Sequence, residues 1–254
     1  MTKLEAKNIV KHFSHESHKL TALDGINLKV EAGDFVCLVG PSGCGKSTFL
    51  RIIAGLEKPD GGQIMFDGHP VTETSPERIM VFQEGALFPW LKVQDNVEFG
   101  LKMAGIPKEE RAKISNRYLD MMQLTKFANS YTYQLSTGMK QRVAIARALV
   151  MDPDVLLMDE PFASLDAQTR DLLLVEMQLI WEKTKKTILF VTHNVAEATV
   201  LGNKIAVFSN RPSIIKKEFE NNFPRPRVTE DESLLKLQQD ILAELRPEVK
   251  KSRE

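Results

Sequence analysis

The sequence predicts an α/β protein: a mostly parallel sheet, an antiparallel β portion at the N-terminus and an inserted α-helical subdomain. Three observations point there. The apolar runs "DFVCLVG", "RIMVFQ", "VLLM" and "ILFV" are strand-length and lack polar alternation, as strands buried on both faces do. Helical spacing recurs between them, in "KSTFLRIIAGL" and over about residues 167–184. Residues 92–150 hold no convincing strand but three helical patterns, which read as an insertion into the α/β core.

Taken in order, "LEAKNIVKHF" is a strand, and "INLKV", alternating Ile26, Leu28 and Val30, is another that ends at the turn "EAGD". "DFVCLVG" runs into a Gly-rich loop, and the helix "KSTFLRIIAGL" follows it, closing near Gly55. "PDGGQIMFDG" is turn, strand and turn; "RIMVFQ" is a further buried strand. "NVEFGLKMAG", "KEERAKISNRYLDMMQL" and "MKQRVAIARALV" are the helices of the insertion. Strands return with "DVLLMD", "TILFVTH", "KIAVFS" and "SIIKKEFE". "NNFPRPR" reads as an extended, Pro-punctuated linker. In "TEDESLLKLQQDILAEL", a capping-type Thr229 and an acidic first turn open a helix. Its stripe of Leu234, Leu237, Ile241 and Leu245 is expected to pack on the domain, with partner docking as the alternative. "PEVKKSRE" is expected to fray. The expected organisation is one domain over 1–228, with an α/β core at 1–87 and 151–228 and a helical insertion at 88–150. A helix and tail follow over 229–254.

The bulk numbers narrow the function classes. At 254 residues and 43% hydrophobic, the chain can bury a large core. Lys plus Arg and Asp plus Glu balance at 34 each, against the basic footprint of a dedicated nucleic-acid binder. The two cysteines, Cys37 in a strand and Cys44 in a Gly-rich loop, make no disulfide framework and suit a reducing compartment. "MTKLEAKNIV" does not resemble a signal peptide, and no run approaches the roughly 18 apolar residues of a spanning helix. A soluble chain that meets a membrane only through a partner is expected.

"GPSGCGKST" matches G-x-x-x-x-G-K-[ST], between an apolar strand and a helix as that motif requires. The main chain of Gly40, Pro41, Ser42, Gly43, Cys44 and Gly45 would wrap a phosphate. Lys46 would reach the β- and γ-phosphates, Ser47 would ligate Mg²⁺, and the Thr48 N–H would meet the α-phosphate. "VLLMDEP" adds strand-terminal Asp159 as a second Mg²⁺ ligand, direct or through water. Glu160 beside it can orient water as a general base, with capping of the next helix as the alternative for such a pair. His193 ends "ILFVTH" on the side of a parallel sheet where ligands bind. Gln83 ends "RIMVFQ" and could ligate Mg²⁺ or position water.

A second small-residue turn, Ser136-Thr137-Gly138, opens the helix "MKQRVAIARAL" and offers free N–H groups to an anion. The order and spacing of all these pieces, with "SLDA" at 164–167, resemble the nucleotide-binding subunits of ATP-binding-cassette (ABC) transporters over about residues 4–228. The resemblance implies a head-to-tail pair, a homodimer, in which Ser136 and Gly138 of one chain contact the γ-phosphate of ATP bound by the other. It further implies that Phe13 stacks on adenine, with a core phenylalanine as the alternative. Gln83 would sense the γ-phosphate, Asp166 would lie in the loop crossing to the opposing site, and His193 would hold the γ-phosphate and attacking water.

"QEGALFPWLKVQDNVEFGL" and "SNRPSIIKKEFENNFPRPR" look most like the ATPases of nitrate, sulfonate and taurine uptake. That likeness implies transmembrane permease subunits as partners, an external solute-binding protein beyond them, and a peripheral place on the cytoplasmic face of the inner membrane. Phe88, Pro89 and Trp90 would help form the groove for a membrane subunit's short helix, or else simply pack within the insertion. Two residues depart from the family pattern: Thr137 stands where a glycine is usual, and Asn194 where an acidic residue commonly follows the histidine. "HFSHESH" could be imagined as a metal site through His12, His15, Glu16 and His18, but reads rather as a solvated loop. The competing functions are a soluble cassette ATPase of translation or DNA repair and a P-loop small-molecule kinase. The first usually has two cassettes or a long coiled-coil insertion, and the second needs neither "LSTGMKQR", the family signature around Ser136, nor "SLDA".

Overall fold

The structure is a computed structural model and describes residues 1–15 and 18–251. Among the described residues, ten strands form two sheets. The first is antiparallel, in the order β2–β1–β4–β5, from β1 (Thr2–His15), β2 (His18–Glu31), β4 (Gly61–Phe66) and the two-residue β5 (His69–Pro70). The second has the order β10–β9–β3–β8–β7–β6, from β3 (Phe35–Val39), β6 (Arg78–Val81), β7 (Val155–Asp159), β8 (Thr187–Thr192), β9 (Lys204–Phe208) and β10 (Ile215–Glu220). All its neighbours pair in parallel except β10, which runs antiparallel along β9. The predicted α/β class, with a mostly parallel sheet and an antiparallel N-terminal part, is the fold observed.

Helix α1 (Lys46–Ala54) lies between the sheets, where Phe49, Leu50, Ile52 and Ile53 join one apolar core with Leu4, Ile9, Ile26, Leu38 and Val191. The opposite face of the parallel sheet is covered by the remaining helices. These are α2 (Val93–Met103), α3 (Lys108–Met121), α4 (Thr137–Leu149), α5 (Ala167–Thr184), α6 (Val195–Leu201) and α7 (Leu235–Lys251). Strands β3, β7 and β8 are buried at every residue, which is why their sequences carry no alternation.

Four elements differ from expectation. Helix α6 was not anticipated: seven residues long, with Val195, Ala198, Val200 and Leu201 all buried, it shows no amphipathic stripe. The helix-opening cap at the C-terminus is Asp231, which accepts the Ser233 N–H at 2.9 Å, while the Thr229 hydroxyl donates to Asp171. The expected frayed tail is helix through Lys251 with Pro247 inside it, held where the Asn210 N–H and Lys216 meet the buried Glu248 carboxylate. Finally, "HFSHESH" is no loop after a strand, because β1 continues to His15 and β2 begins at His18. His12 lies 3.1 Å from the Thr21 hydroxyl, and Glu16 of the imagined metal set falls outside the described residues.

"NNFPRPR" is extended, as expected, but it is a strap bound to the core. The Arg227 guanidinium, 2% exposed, donates to the carbonyls of Thr199, Gly202, Asn221 and Phe223 at 2.6–3.2 Å. Gln178 of α5 donates to the Arg227 carbonyl and accepts its N–H. Arg225 lies over the Trp181 ring, 4.5 Å from its centroid, and donates to the Val200 and Leu201 carbonyls. Hydrogen bonds to a charged group contribute about 1.5–3 kcal/mol each, and carbonyls left bare in the interior cost more. Arg227→Ala is therefore expected to lower the unfolding free energy by about 3 kcal/mol in urea titration. Arg227→Lys should recover less than half of this, since one ammonium cannot span four carbonyls.

Candidate nucleotide site

Parallel pairing brings the motif residues to one edge of the sheet. Val39 of β3 is opposite Thr192 of β8, and Val191 is opposite Asp159 of β7, so the residues following these strands emerge side by side. The Gly-rich loop leaves β3 at Gly40 and turns into α1 at Gly45, whose φ of 115° only glycine adopts readily. A Cβ on Gly45 would sit 2.8 Å from Leu23, and one on Gly40 would sit 2.9 Å from the Phe208 Cβ.

Lys46 opens α1 and is 3% exposed. Its ammonium donates to the Gly40 and Pro41 carbonyls, both at 2.9 Å, and lies 3.7 Å from the Cys44 sulfur. Among the described residues no carboxylate forms an ion pair with it. A buried cation held only by carbonyl dipoles is suited to an incoming anion. One residue on, the Ser47 hydroxyl donates to Asp159 at 2.7 Å. Burial pushes the Asp159 carboxyl above its ordinary range, opposed by the Ser47 bond and reinforced by nearby Glu160. A hydroxyl and a carboxylate, all oxygen, form a donor set for a hard divalent cation such as Mg²⁺.

Glu160 has φ of 45°, a left-handed conformation that costs a non-glycine residue energy and recurs at functional sites. Its carboxylate lies 2.9 Å from His193 Nδ1. His193 is exposed, so the pair faces the open edge, whereas Asp159 is buried against Ser47 of α1. The strand end behind it is a polar network that sequence reading missed. Thr192 donates to buried Glu197 at 2.6 Å and accepts the Asn194 N–H, and Arg170 of α5 lies 3.3 Å from Glu197. Burial raises the Glu197 carboxyl, countered by the Thr192 bond and Arg170. Asn194 caps α6 by accepting the Ala196 N–H at 2.9 Å, which gives this departure from the family pattern a structural job. An Asn directly before an Ala/Val-rich run was the available signal for α6.

The other candidates lie apart. Gln83, just past β6, is exposed and makes no hydrogen bond to Ser47 or Asp159. Phe13 is 40% exposed with Lys11 Nζ 5.6 Å from its ring centroid, so it is not a core residue. Asp166 caps α5 by accepting the Thr169 N–H at 3.0 Å, which holds its carboxyl below the usual range. Ser136 is the exposed cap of α4, accepting the Met139 N–H at 3.3 Å, and Gly138 is buried behind it. Thr137, the other departure, is exposed at the first position of α4. Phe88 lines a cleft of about 430 Å³ with Val81, Phe99, Ala144, Arg147 and Met151. Trp90, 69% exposed, lies outside that cleft, its ring centroid 5.5 Å from that of Phe88, and Pro89 does not line it either.

A strand-to-helix phosphate loop with a hydroxyl–carboxylate pair at its mouth defines a P-loop nucleoside triphosphatase core. The ABC transporter family model matches residues 23–163. The aliphatic sulfonates import ATP-binding protein of Bacillus cereus is 44% identical over 234 residues, covering 92% of each chain. The nitrate import ATP-binding protein of Synechocystis is 44% identical over 237 residues, 93% of this chain and 89% of the relative. A solved ATP-binding cassette, a dimer in a post-hydrolysis state bound to ADP and Pi, superposes with a TM-score of 0.76 at 32% identity, covering 87% of this chain and all of that one. The protein belongs to the ABC transporter family, as an ATP-binding, ATP-hydrolysing subunit. No helix among the described residues is long and apolar enough to cross a membrane.

Gly138 supplies a local check on how α4 seats against α5. A Cβ there would fall 2.5 Å from the Thr169 Cγ2, on a stiff β-branched side chain. Gly138→Ala is expected to lower the unfolding free energy by about 1–3 kcal/mol. Combining it with Thr169→Ser should return most of that loss in a double-mutant cycle.

Proposed function

We propose that this chain is the ATPase of an importer for nitrate, a sulfonate, taurine or a similar small solute, working as a head-to-tail homodimer with two MgATP at the interface. The observation that carries the nucleotide assignment is the 2.7 Å bond between Ser47 and Asp159, which joins the phosphate loop to the acidic strand end. Bound Mg²⁺, held by Ser47 and Asp159 with Gln83 as a further ligand, would neutralise charge on the phosphates. Lys46 exchanges its carbonyl partners for the β- and γ-phosphates, the main chain of residues 40–48 cradles them, and Phe13 stacks on the adenine. Glu160 takes the proton of the attacking water, and His193, already touching Glu160, orients that water and the γ-phosphate.

Ser136 and Gly138 close on the partner's nucleotide, and Asp166 lies in the loop that crosses to it. Ser136 is exposed at a helix start, so its N–H side is open to an anion from another chain. The dimeric cassette among the solved relatives supports this pairing. Gln83, at the rim of the insertion, passes closure to the Phe88 cleft, where a permease subunit's helix docks, with an external solute-binding protein beyond it. The chain would thus sit peripherally at the cytoplasmic face of the inner membrane. The likeness to sulfonate and nitrate import proteins supports transport over roles in translation or DNA repair.

Glu160→Gln is expected to lower ATP turnover at least about a hundred-fold while MgATP still binds; turnover within a few-fold of wild type removes the general-base role. Neither Lys46→Ala nor Ser136→Arg chains alone should hydrolyse ATP. Their mixture should regain activity, since one composite site is then intact, and failure to do so contradicts head-to-tail pairing.

A further inference from the structure

The turn between β9 and β10 carries an arginine to the phosphate loop, and that turn is firmly anchored. Buried Ser213 donates its N–H to the Ala22 carbonyl at 3.1 Å, and its own carbonyl accepts the Asp24 N–H at 2.9 Å. The Ser209 hydroxyl accepts the Ile214 N–H at 2.9 Å. The Asn210 N–H donates to Glu248 of α7, also at 2.9 Å, and Glu248 pairs with Lys216 at 3.1 Å. The same platform backs both ends of the loop, because Phe208 fills the space beside Gly40 and Leu23 the space beside Gly45. Between those two contacts, Arg211 Nη2 lies 3.6 Å from where a Cβ on Gly43 would be. Arg211 is exposed, and among the described residues no carboxylate pairs with it.

We propose that Arg211 acts on the bound polyphosphate: an exposed guanidinium, carried beside Gly43 by an anchored turn, that strengthens binding in proportion to the charge of the nucleotide. The inference rests on the nucleotide reading above. A guanidinium keeps its charge at every physiological pH, and a charge without an internal counter-ion acts outward on what the loop holds. Acting through the field rather than a directed bond, its contribution scales with phosphate count, weakens with salt and survives replacement by lysine.

The test is calorimetric titration of ATP, ADP and AMP into the full-length protein and its Arg211→Gln, Arg211→Lys and Arg211→Glu variants, at low and high salt. Arg211→Gln is expected to weaken ATP binding about five-fold at low salt, ADP less and AMP least, and the loss should shrink at high salt. Arg211→Lys should restore the affinity, and Arg211→Glu should exceed the loss seen with glutamine. Unchanged ATP affinity in both the glutamine and glutamate variants overturns the proposal. So does an equal fold-loss for all three nucleotides, which marks packing rather than charge, or failure of lysine to restore binding. Absence of ATP binding by the wild-type protein would instead overturn the nucleotide reading itself.

Discussion

Everything at the site depends on the parallel register of three strands. With Val39 opposite Thr192 and Val191 opposite Asp159, β3 and β8 end level and β7 one residue short, so their next residues share one edge. Parallel strands need long crossovers, so the residues meeting there come from positions 40, 160 and 193. A one-residue slip of β7 would turn Asp159 and Glu160 to the opposite faces and break the Ser47 bond. Complete burial of these strands makes such a slip expensive, so the apolar core fixes the chemistry of the edge.

Charge at that edge is arranged rather than neutralised. Lys46 is buried against carbonyls, Asp159 holds one hydroxyl, and Glu160 sits in a costly backbone conformation against His193. Each local cost is offset by packing elsewhere: the arginine strap across α5 and α6, and the C-terminal helix clamped at Glu248. Elements remote from the phosphate loop thus hold rigid the platform on which the loop rests.

Much of this was legible in the residues. The strands of the parallel sheet announced themselves by apolar runs, and the phosphate loop by its glycine spacing. Less legible was whatever depended on contacts distant in sequence. Helix α6 is too short and too buried to show a stripe. Arg225 and Arg227 sit among prolines, so composition read as linker while the guanidiniums were binding carbonyls up to 28 positions away. Thr229 has capping chemistry, yet its hydroxyl reaches Asp171 across the fold and leaves the cap to Asp231. Motif order named Glu160 and His193 separately; only the adjacency of β7 and β8 brings them to 2.9 Å.

The most direct measurement is a crystal structure of the full-length protein with magnesium and a non-hydrolysable ATP analogue. The metal is expected between the Ser47 hydroxyl and the Asp159 carboxylate, Lys46 on the phosphates, and the γ-phosphate at the Glu160–His193 edge facing Ser136 of a second copy. A nucleotide whose phosphates lie away from the 40–48 loop, or a metal that touches neither Ser47 nor Asp159 directly or through water, would contradict this arrangement.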